Sequence, residues 1–117
     1  MVAVALTTSL DELKSRFIES GISKIIVYDG NIDNVVGYIH SSEMFRAPTN
    51  WHENVKQVPI VPETMSANKL MKLFMQQKKT IAVVVDEFGG TSGIVSLEDL
   101  VEEIFGDIED EHDNTSY

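Results

Sequence analysis

The chain repeats itself, and this repeat constrains the fold more than any other feature of the sequence. The segments that recur are 9–18, 25–29 and 37–43, which return at 66–75, 82–86 and 93–99. The first two segments return with the same spacing, and the third returns with a spacing shorter by a single residue. This slip falls in a turn, where insertions and deletions are tolerated. The sequence therefore predicts two copies of one structural unit.

Each copy predicts the same order of elements. Ser9 and Ser66 are favourable N-cap residues, and the apolar spacing that follows each of them is helical. The continuous β-branched runs at 25–28 and 81–85 indicate buried strands. The remaining predicted elements are leading strands at 2–6 and 58–61, hairpin strands that end at Ile39 and Val95, and short closing helices capped by His40 or Ser41 and by Ser96.

The predicted fold class is α+β. Two β-α-β-β-α units are expected to be related by pseudo-two-fold symmetry, with their sheets side by side and their helices facing outward. We assign residues 1–57 to the first unit, residues 58–106 to the second unit, and residues 107–117 to an acidic tail or a truncated linker. From Glu98 to Asp113 the chain carries nine acidic residues and no Lys or Arg.

Charge and missing residue types exclude several classes of protein. A formal charge of −10 repels phosphate backbones, so no nucleic-acid partner is expected. The chain has no cysteine, which excludes disulfides, Cys-ligated zinc and a catalytic thiol. The apolar run at 81–85 is far too short to cross a bilayer, so the chain is expected to be soluble. No nucleophile–base pair emerges, so we expect that the chain is not an enzyme.

The strand-to-helix junction of the second copy is a candidate ligand site. A hydroxyl at Ser96 and a carboxylate at Asp99 are three residues apart, and the first helical turn places both on one face. The helix amides and the positive end of the helix dipole suit a phosphate, and the carboxylate can accept ribose hydroxyls. The same spacing also fits an ordinary capping box, so both interpretations stay open.

The stretch 83–108 carries the most specific pattern in the chain. It contains the turn Glu-Phe-Gly-Gly-Thr at 87–91 and the run Gly-Ile-Val-Ser-Leu-Glu-Asp-Leu-Val-Glu-Glu-Ile at 93–104. Together with the repeat, these residues resemble a tandem pair of CBS domains. The sequence of this stretch is similar to that of the second CBS domain in the CorC/HlyC hemolysin-like family, which is related to the cyclin M magnesium transporters. The resemblance covers essentially the whole chain.

This resemblance implies a binding site for an adenosine nucleotide, in which Ser96 contacts phosphate and Asp99 contacts ribose. The first copy departs from the pattern, because His40 replaces the hydroxyl and Glu43 replaces the aspartate. We therefore expect a weaker half-site there. The residues that would flank the adenine are Thr80, Ile81, Ala82 and Val58.

The resemblance also implies a regulatory function. The pair would bind AMP or ATP, with or without Mg²⁺, and would control an attached membrane ion-transport domain, as in magnesium and cobalt efflux proteins. No cofactor is required. Such proteins carry the membrane domain before the pair and a small domain after it, which places the pair on the cytoplasmic side of the membrane. A homodimer through the helices is also implied, with apolar contact residues Leu70, Leu73, Phe74, Val101, Ile104 and Phe105.

Two other functions compete with nucleotide sensing. The pair could serve as a dimerisation module with no physiological small-molecule ligand. The acidic segment 107–113 could hold a metal, but it lacks the central glycine of an EF-hand loop. We favour a solvated acidic tail for that segment.

Overall fold

The computed structural model describes residues 1–46 and 50–116, with side chains described for 1–45 and 50–106. The chain divides into two compact units, Met1–Val58 and Pro59–Tyr117. Each unit has its own sheet and its own apolar core. Among the described residues, no helix is long and apolar enough to cross a membrane.

The first unit is a three-stranded sheet covered by one α-helix. Its elements are β1 (Ala3–Ala5), α1 (Leu10–Ser20), β2 (Lys24–Tyr28), β3 (Val35–His40) and two 3₁₀ helices, Ser41–Arg46 and Trp51–Asn54. The central strand β2 is parallel to β1 and antiparallel to β3. A parallel pair needs a crossover connection, which α1 provides. Leu13 and Phe17 of α1 pack on the apolar face of this sheet.

The second unit repeats this arrangement with a longer closing helix. Its elements are β4 (Ile60–Pro62), α2 (Ala67–Gln77), β5 (Ile81–Val85), β6 (Thr91–Ser96) and α3 (Leu97–Ser116). The central strand β5 is parallel to β4 and antiparallel to β6. Leu70 and Phe74 of α2 pack against Ala82 of β5 and Leu100 of α3. The two units therefore share one topology and one placement of the core helix.

The α+β class and the repeated order of strands and helices are confirmed. Both predicted N-caps are present, because Ser9 Oγ accepts from the amide of Glu12 and Ser66 Oγ accepts from the amide of Lys69, each at 3.2 Å. These bonds satisfy amides that have no partner inside the helix. The pseudo-two-fold relation and the domain boundaries stay predictions.

The short closing helix predicted for the first unit is present, but as a 3₁₀ helix rather than an α-helix. Residues Ser41–Arg46 form a 3₁₀ helix. Nδ1 of His40 accepts from the amide of Ser42, two residues on, at 3.0 Å. In the second unit Ser96 Oγ accepts from the amide of Asp99, three residues on, at 3.1 Å. The imidazole therefore closes a tighter turn than the hydroxyl does, and a 3₁₀ helix is the tighter of the two helices.

The contact surface predicted for the second unit is partly wrong. Leu70 and Phe74 are buried in the core of their own unit. Val101 and Phe105 remain exposed. The half-buried members of that surface, which pack against the same core, are Leu73 and Ile104. The apolar surface left on this unit is therefore narrower than predicted.

The backbone of α3 continues to Ser116, through most of the segment predicted as an acidic tail or linker. The side chains of 107–116 lie outside the described residues, and so does Tyr117. The expectation of a solvated tail and the competing metal site at 107–113 both depend on those side chains. Both stay predictions.

Candidate functional site

The candidate site of the second unit lies where β6 ends and α3 begins. The register places Ser96 opposite Ile81 at the start of β5. The amide of Leu97 donates to the carbonyl oxygen of Thr80 at 2.8 Å. This bond holds the start of α3 against the residue that precedes β5. The structure therefore brings Thr80, Ile81, Ser96 and Asp99 to one end of the sheet.

Some polar atoms at this junction are engaged in hydrogen bonds within the protein, and others can still bind a ligand. Ser96 Oγ accepts from the amide of Asp99, so the capping interaction is present. The amides of Leu97 and Asp99 are both engaged in these bonds. The hydroxyl proton of Ser96 can still be donated, since a hydroxyl both accepts and donates. A phosphate oxygen that binds here would therefore accept a hydrogen bond from the hydroxyl of Ser96. It would not accept one from the amide of Leu97 or Asp99, since both are already engaged.

Exposure distinguishes the two side chains that carry the predicted chemistry. The carboxylate-bearing residue Asp99 is exposed, and so is Thr80, while Ser96 is half-buried. The first turns of α3 are strongly acidic, because Glu98, Asp99 and Glu102 are all exposed there. Two cationic residues, 78 and 79, directly precede Thr80 in the chain.

The apolar residues predicted to flank the adenine differ in their burial and in the unit to which they belong. Ile81 and Ala82 are both buried. Ala82 belongs to the core cluster that contains Phe74, and no part of the residue is exposed. Val58 is the last residue of the first unit and directly precedes Pro59, whose carbonyl oxygen accepts from the amide of Val83 at 2.8 Å. The structure groups Ile81 with Ser96 but assigns Val58 to the other unit.

The first unit has the same junction with different side chains. The amide of Ser41 donates to the carbonyl oxygen of Ser23 at 2.8 Å, which repeats the bond between Leu97 and Thr80. Nδ1 of His40 accepts from the amide of Ser42 and lies 2.9 Å from its hydroxyl oxygen. Because Nδ1 of His40 accepts this bond, that atom is not available to donate to a phosphate.

Glu43 differs most from its counterpart. Only 5% of its surface is exposed, whereas Asp99 is exposed. A buried carboxylate cannot offer its oxygens to a ligand in solution without a rearrangement. The sequence pattern did not single out Ser23, the first-unit counterpart of Thr80. The repeat identifies it, since the alignment that pairs Ser9 with Ser66 also pairs Ser23 with Thr80.

A comparison with protein families matches both halves of the chain. The model of the family described as CBS domain matches residues 1–50 and 54–106. The chain is 42% identical over 120 residues to the Hemolysin C homolog of Rickettsia massiliae, covering 97% of this chain and 40% of the relative. Hemolysin C of Rickettsia prowazekii is 41% identical over 97% of this chain and 39% of its own length. The chain thus spans about 40% of the curated relatives it matches.

Solved structures with the same fold include proteins of related description. The CBS domain of a bacterial CNNM/CorC family Mg²⁺ transporter in complex with ATP has a TM-score of 0.85 and 34% identity, covering 91% of this chain and 80% of that chain. A hemolysin-like protein containing a CBS domain from Oenococcus oeni has a TM-score of 0.80 and 26% identity, covering 90% of this chain and 82% of that chain. Since the family model matches each of the two repeated units, the chain belongs to the CBS domain family and carries two CBS domains in tandem.

Proposed function

We propose that this CBS pair is a regulatory module that binds an adenine nucleotide, AMP or ATP, at the junction of β6 and α3. The observation that carries the proposal is the position of Asp99, an exposed carboxylate one helical turn after the hydroxyl of Ser96. The relative solved with ATP is 34% identical and covers 91% of this chain, which supports an adenine nucleotide as the ligand class.

Each polar side chain has a separate role in this proposal. The hydroxyl of Ser96 donates a hydrogen bond to a phosphate oxygen, while its oxygen continues to cap α3. Asp99 accepts hydrogen bonds from the ribose hydroxyls, and bonds to a charged acceptor are stronger than neutral ones. Thr80 and Ile81 lie beside Ser96 and border the base. The contacts expected from the sequence at Val58, which belongs to the other unit, and at Ala82, which is fully buried, stay predictions.

Charge at the junction favours a nucleotide that carries Mg²⁺. The exposed carboxylates of Glu98, Asp99 and Glu102 repel free phosphate. A magnesium ion that bridges phosphate oxygens lowers this repulsion and needs few protein ligands. Among residues with described side chains, no group of three candidate ligands converges to hold a metal alone. The ion would therefore arrive with ATP.

Calorimetric titration of the chain with AMP, ADP and ATP, each with and without Mg²⁺, tests the proposal. Asp99→Ala should weaken binding by about ten- to a hundredfold, because ribose loses charge-assisted hydrogen bonds worth about 1.5–3 kcal/mol each. Glu43→Ala is the matched control in the first unit. It should change the melting temperature and leave the affinity nearly unchanged, since Glu43 is buried. Unchanged affinity in Asp99→Ala would exclude this junction as the site.

The longer proteins that this chain resembles lead to the second part of the proposal. We infer that the pair controls an attached membrane domain that moves ions such as Mg²⁺, and that it has no catalytic activity of its own. Occupancy of the site would be transmitted to that domain on the cytoplasmic side of the membrane. In vesicles that contain the longer protein, Asp99→Ala should abolish the effect of nucleotide on ion flux. Flux that still responds to nucleotide would contradict this control.

A homodimer completes the proposal, and the first unit offers a surface for it. Ile18 and Phe45 are 82% and 89% exposed. Both line an apolar cavity of about 410 Å³ between α1 and the 3₁₀ helix Ser41–Arg46. An exposed aromatic side chain next to an open apolar cavity suits a self-complementary contact across a two-fold axis. The same surface supports the alternative function, a dimerisation module without a small-molecule ligand.

A further inference from the structure

Trp51 fills an apolar site in the first unit. Its side chain comes from the second 3₁₀ helix, is 3% exposed and belongs to the core cluster of that unit. The indole Nε1 donates to the carbonyl oxygen of Thr8, between β1 and α1, at 3.1 Å. This site therefore takes a large planar ring and satisfies its single N–H donor. The members of the cluster that matter for the comparison below are Val4, Leu13, Val27 and Ile39.

The second unit has a cavity of about 210 Å³ at the equivalent place. The repeat and the strand registers pair those four core residues with four residues that line this cavity. In the same order, these are Val61, Leu70, Val84 and Val95. An apolar cavity of about 150 Å³ is large enough to bind benzene, so this cavity is large enough for a bicyclic ring.

The hydrogen-bond acceptor of the site is repeated as well. Met65 lines the cavity and corresponds to Thr8. The amide of Thr8 donates to the carbonyl oxygen of Ala5 at 3.0 Å. In the same way, the amide of Met65 donates to the carbonyl oxygen of Pro62 at 3.1 Å. Because the two turns are equivalent, the carbonyl oxygen of Met65 is the counterpart of the one that accepts from the indole in the first unit.

The second unit has no aromatic residue at the position equivalent to Trp51. The alignment that pairs Gly37 with Gly93 also pairs Trp51 with Asp107, whose side chain lies outside the described residues. The closing helix of the first unit ends at Arg46, before the chain reaches Trp51, whereas α3 continues as one helix past this point. An aromatic ring in this cavity would therefore come from another molecule.

Charge around the cavity restricts the class of ligand. Glu63 and Glu103 both line it, and both are exposed. The carboxylate of Glu63 accepts a hydrogen bond from the hydroxyl of Ser92, which orients it. None of the described lining residues is Lys or Arg. The two carboxylates repel an anionic ligand and favour a neutral or cationic one.

We propose that this cavity binds a small planar heteroaromatic compound, neutral or cationic, that carries a ring N–H donor. Indole is the simplest member of this class. The ring packs against Leu70 and Val84, and its N–H donates to the carbonyl oxygen of Met65. The site is independent of nucleotide binding, since the residues at the junction of β6 and α3 that are proposed to contact nucleotide do not line the cavity.

Titration of the chain with indole, followed by the chemical shifts of backbone amides, tests the proposal. Indole should bind with a dissociation constant of about 1 mM or lower and shift the amides of Leu70 and Val84. The amides of Leu13 and Val27 are the internal control. They should not shift, because Trp51 already fills the equivalent site. Equal shifts in both pairs, or no shift at Leu70 and Val84, would overturn the proposal.

Related ligands test the hydrogen bond and the charge. 1-Methylindole has no N–H donor and should bind about fivefold more weakly than indole. Indole-3-acetate should bind at least about tenfold more weakly than tryptamine, because its carboxylate meets Glu63 and Glu103. Equal affinities within either pair of ligands would contradict the ligand class proposed.

A variant that fills the cavity provides the final test. Ala67 is half-buried, lines the cavity and is the first residue of α2. In Ala67→Phe the added ring should occupy the cavity and weaken indole binding at least about tenfold. The melting temperature should stay within about 2 °C, since the ring enters existing space, and nucleotide affinity should stay constant. If Ala67→Phe binds indole as tightly as the parent chain, indole binds elsewhere and the proposal fails.

Discussion

The two strand-to-helix junctions have the same backbone hydrogen bond but differ in the side chains that are exposed to solvent. Each has the same amide-to-carbonyl bond of 2.8 Å, from Ser41 to Ser23 and from Leu97 to Thr80. The first continues into a short 3₁₀ helix, and the second continues into an α-helix that ends at Ser116. The two junctions therefore have equivalent backbone scaffolds, and they differ in the side chains that could contact a ligand.

Burial of the acidic residue is the sharpest difference between the junctions. In the first unit the carboxylate of Glu43 is buried, and in the second unit Asp99 is exposed. The two capping groups differ as well, since an imidazole nitrogen closes the first turn and a hydroxyl closes the second. The first junction has neither the hydroxyl nor an exposed carboxylate. We therefore propose one nucleotide site in each chain, at the junction of the second unit.

The largest expected effect tests whether the two units unfold independently of each other. Phe17 and Phe74 occupy equivalent positions in two distinct core clusters. Replacing either by Ala should cost about 3–5 kcal/mol, through lost burial and the cavity left behind. Hydrogen exchange should show that protection falls mainly in the unit that carries the substitution. Equal loss of protection in both units, from either variant, would mean that they unfold together.

The next prediction separates capping from phosphate binding at Ser96. Ser96→Asp keeps an acceptor for the amide of Asp99, since Asp is as good an N-cap as Ser, so the melting temperature should hold. The added negative charge should weaken nucleotide binding by about a hundredfold, because like charges in a binding site are strongly unfavourable. His40→Asp in the first unit is the matched control and should leave affinity nearly unchanged. A similar loss in both variants would assign nucleotide contacts to both junctions.

A smaller effect is expected in assembly. Phe45→Asp should raise the dimer dissociation constant about thirtyfold, as for a central aromatic contact worth about 2 kcal/mol. Val101 is the equivalent residue of the second unit, is 37% exposed, and neighbours exposed acidic residues. Val101→Asp should therefore have a much weaker effect. Sedimentation velocity measures both variants, and a parent chain that is monomeric at tens of micromolar would rule out the dimer.

The parts of the fold that depend on local chemistry could be predicted from the sequence. Strands follow from β-branched runs, and the helix starts at Ser9 and Ser66 follow from a hydroxyl that caps the first turn. Because the sequence repeats, the order of strands and helices predicted for one unit also applies to the other. Thr80 was predicted as a site residue from the family resemblance, and the register of the hairpin, which only the structure shows, places it beside Ser96.

The parts that depend on contacts between distant segments could not be predicted. Whether Glu43 is buried depends on packing around it, and the sequence shows only a longer version of aspartate. A side chain at Gly37 would collide with Lys56, which the chain brings back to β3 only after both 3₁₀ helices. Gly93 has no such neighbour among the described residues. Each of these outcomes is decided by geometry that residue type leaves open.

The smallest expected effect concerns the ends of the two core helices. The residue after α1 is Gly21, with φ 69°, and the residue after α2 is Lys78, with φ 54°. Both adopt the left-handed conformation that ends many helices, and both amides bond to the phenylalanine carbonyl four residues earlier. Glycine adopts this conformation without the steric cost that a Cβ atom imposes. The second unit therefore carries strain that the first unit avoids.

Exchanging these residue types should move stability in opposite directions. Lys78→Gly should stabilise the chain by up to about 1 kcal/mol, because relief of the left-handed strain exceeds the extra entropy that glycine gains in the unfolded state. Gly21→Ala should destabilise it by a similar amount. Apart from the two neighbours in the chain, no atom of the described residues lies within 4 Å of the added Cβ, so the cost reports backbone strain. Thermal denaturation should show shifts of about 4 °C of opposite sign. Gly21 is not among the proposed nucleotide contacts, so affinity should stay constant in Gly21→Ala. Lys78→Gly is measured by its melting temperature alone, because it also removes a positive charge two residues before Thr80. A Lys78→Gly variant that melts lower than the parent would mean that the side chain of Lys78 makes a stabilising contact larger than the strain of its backbone.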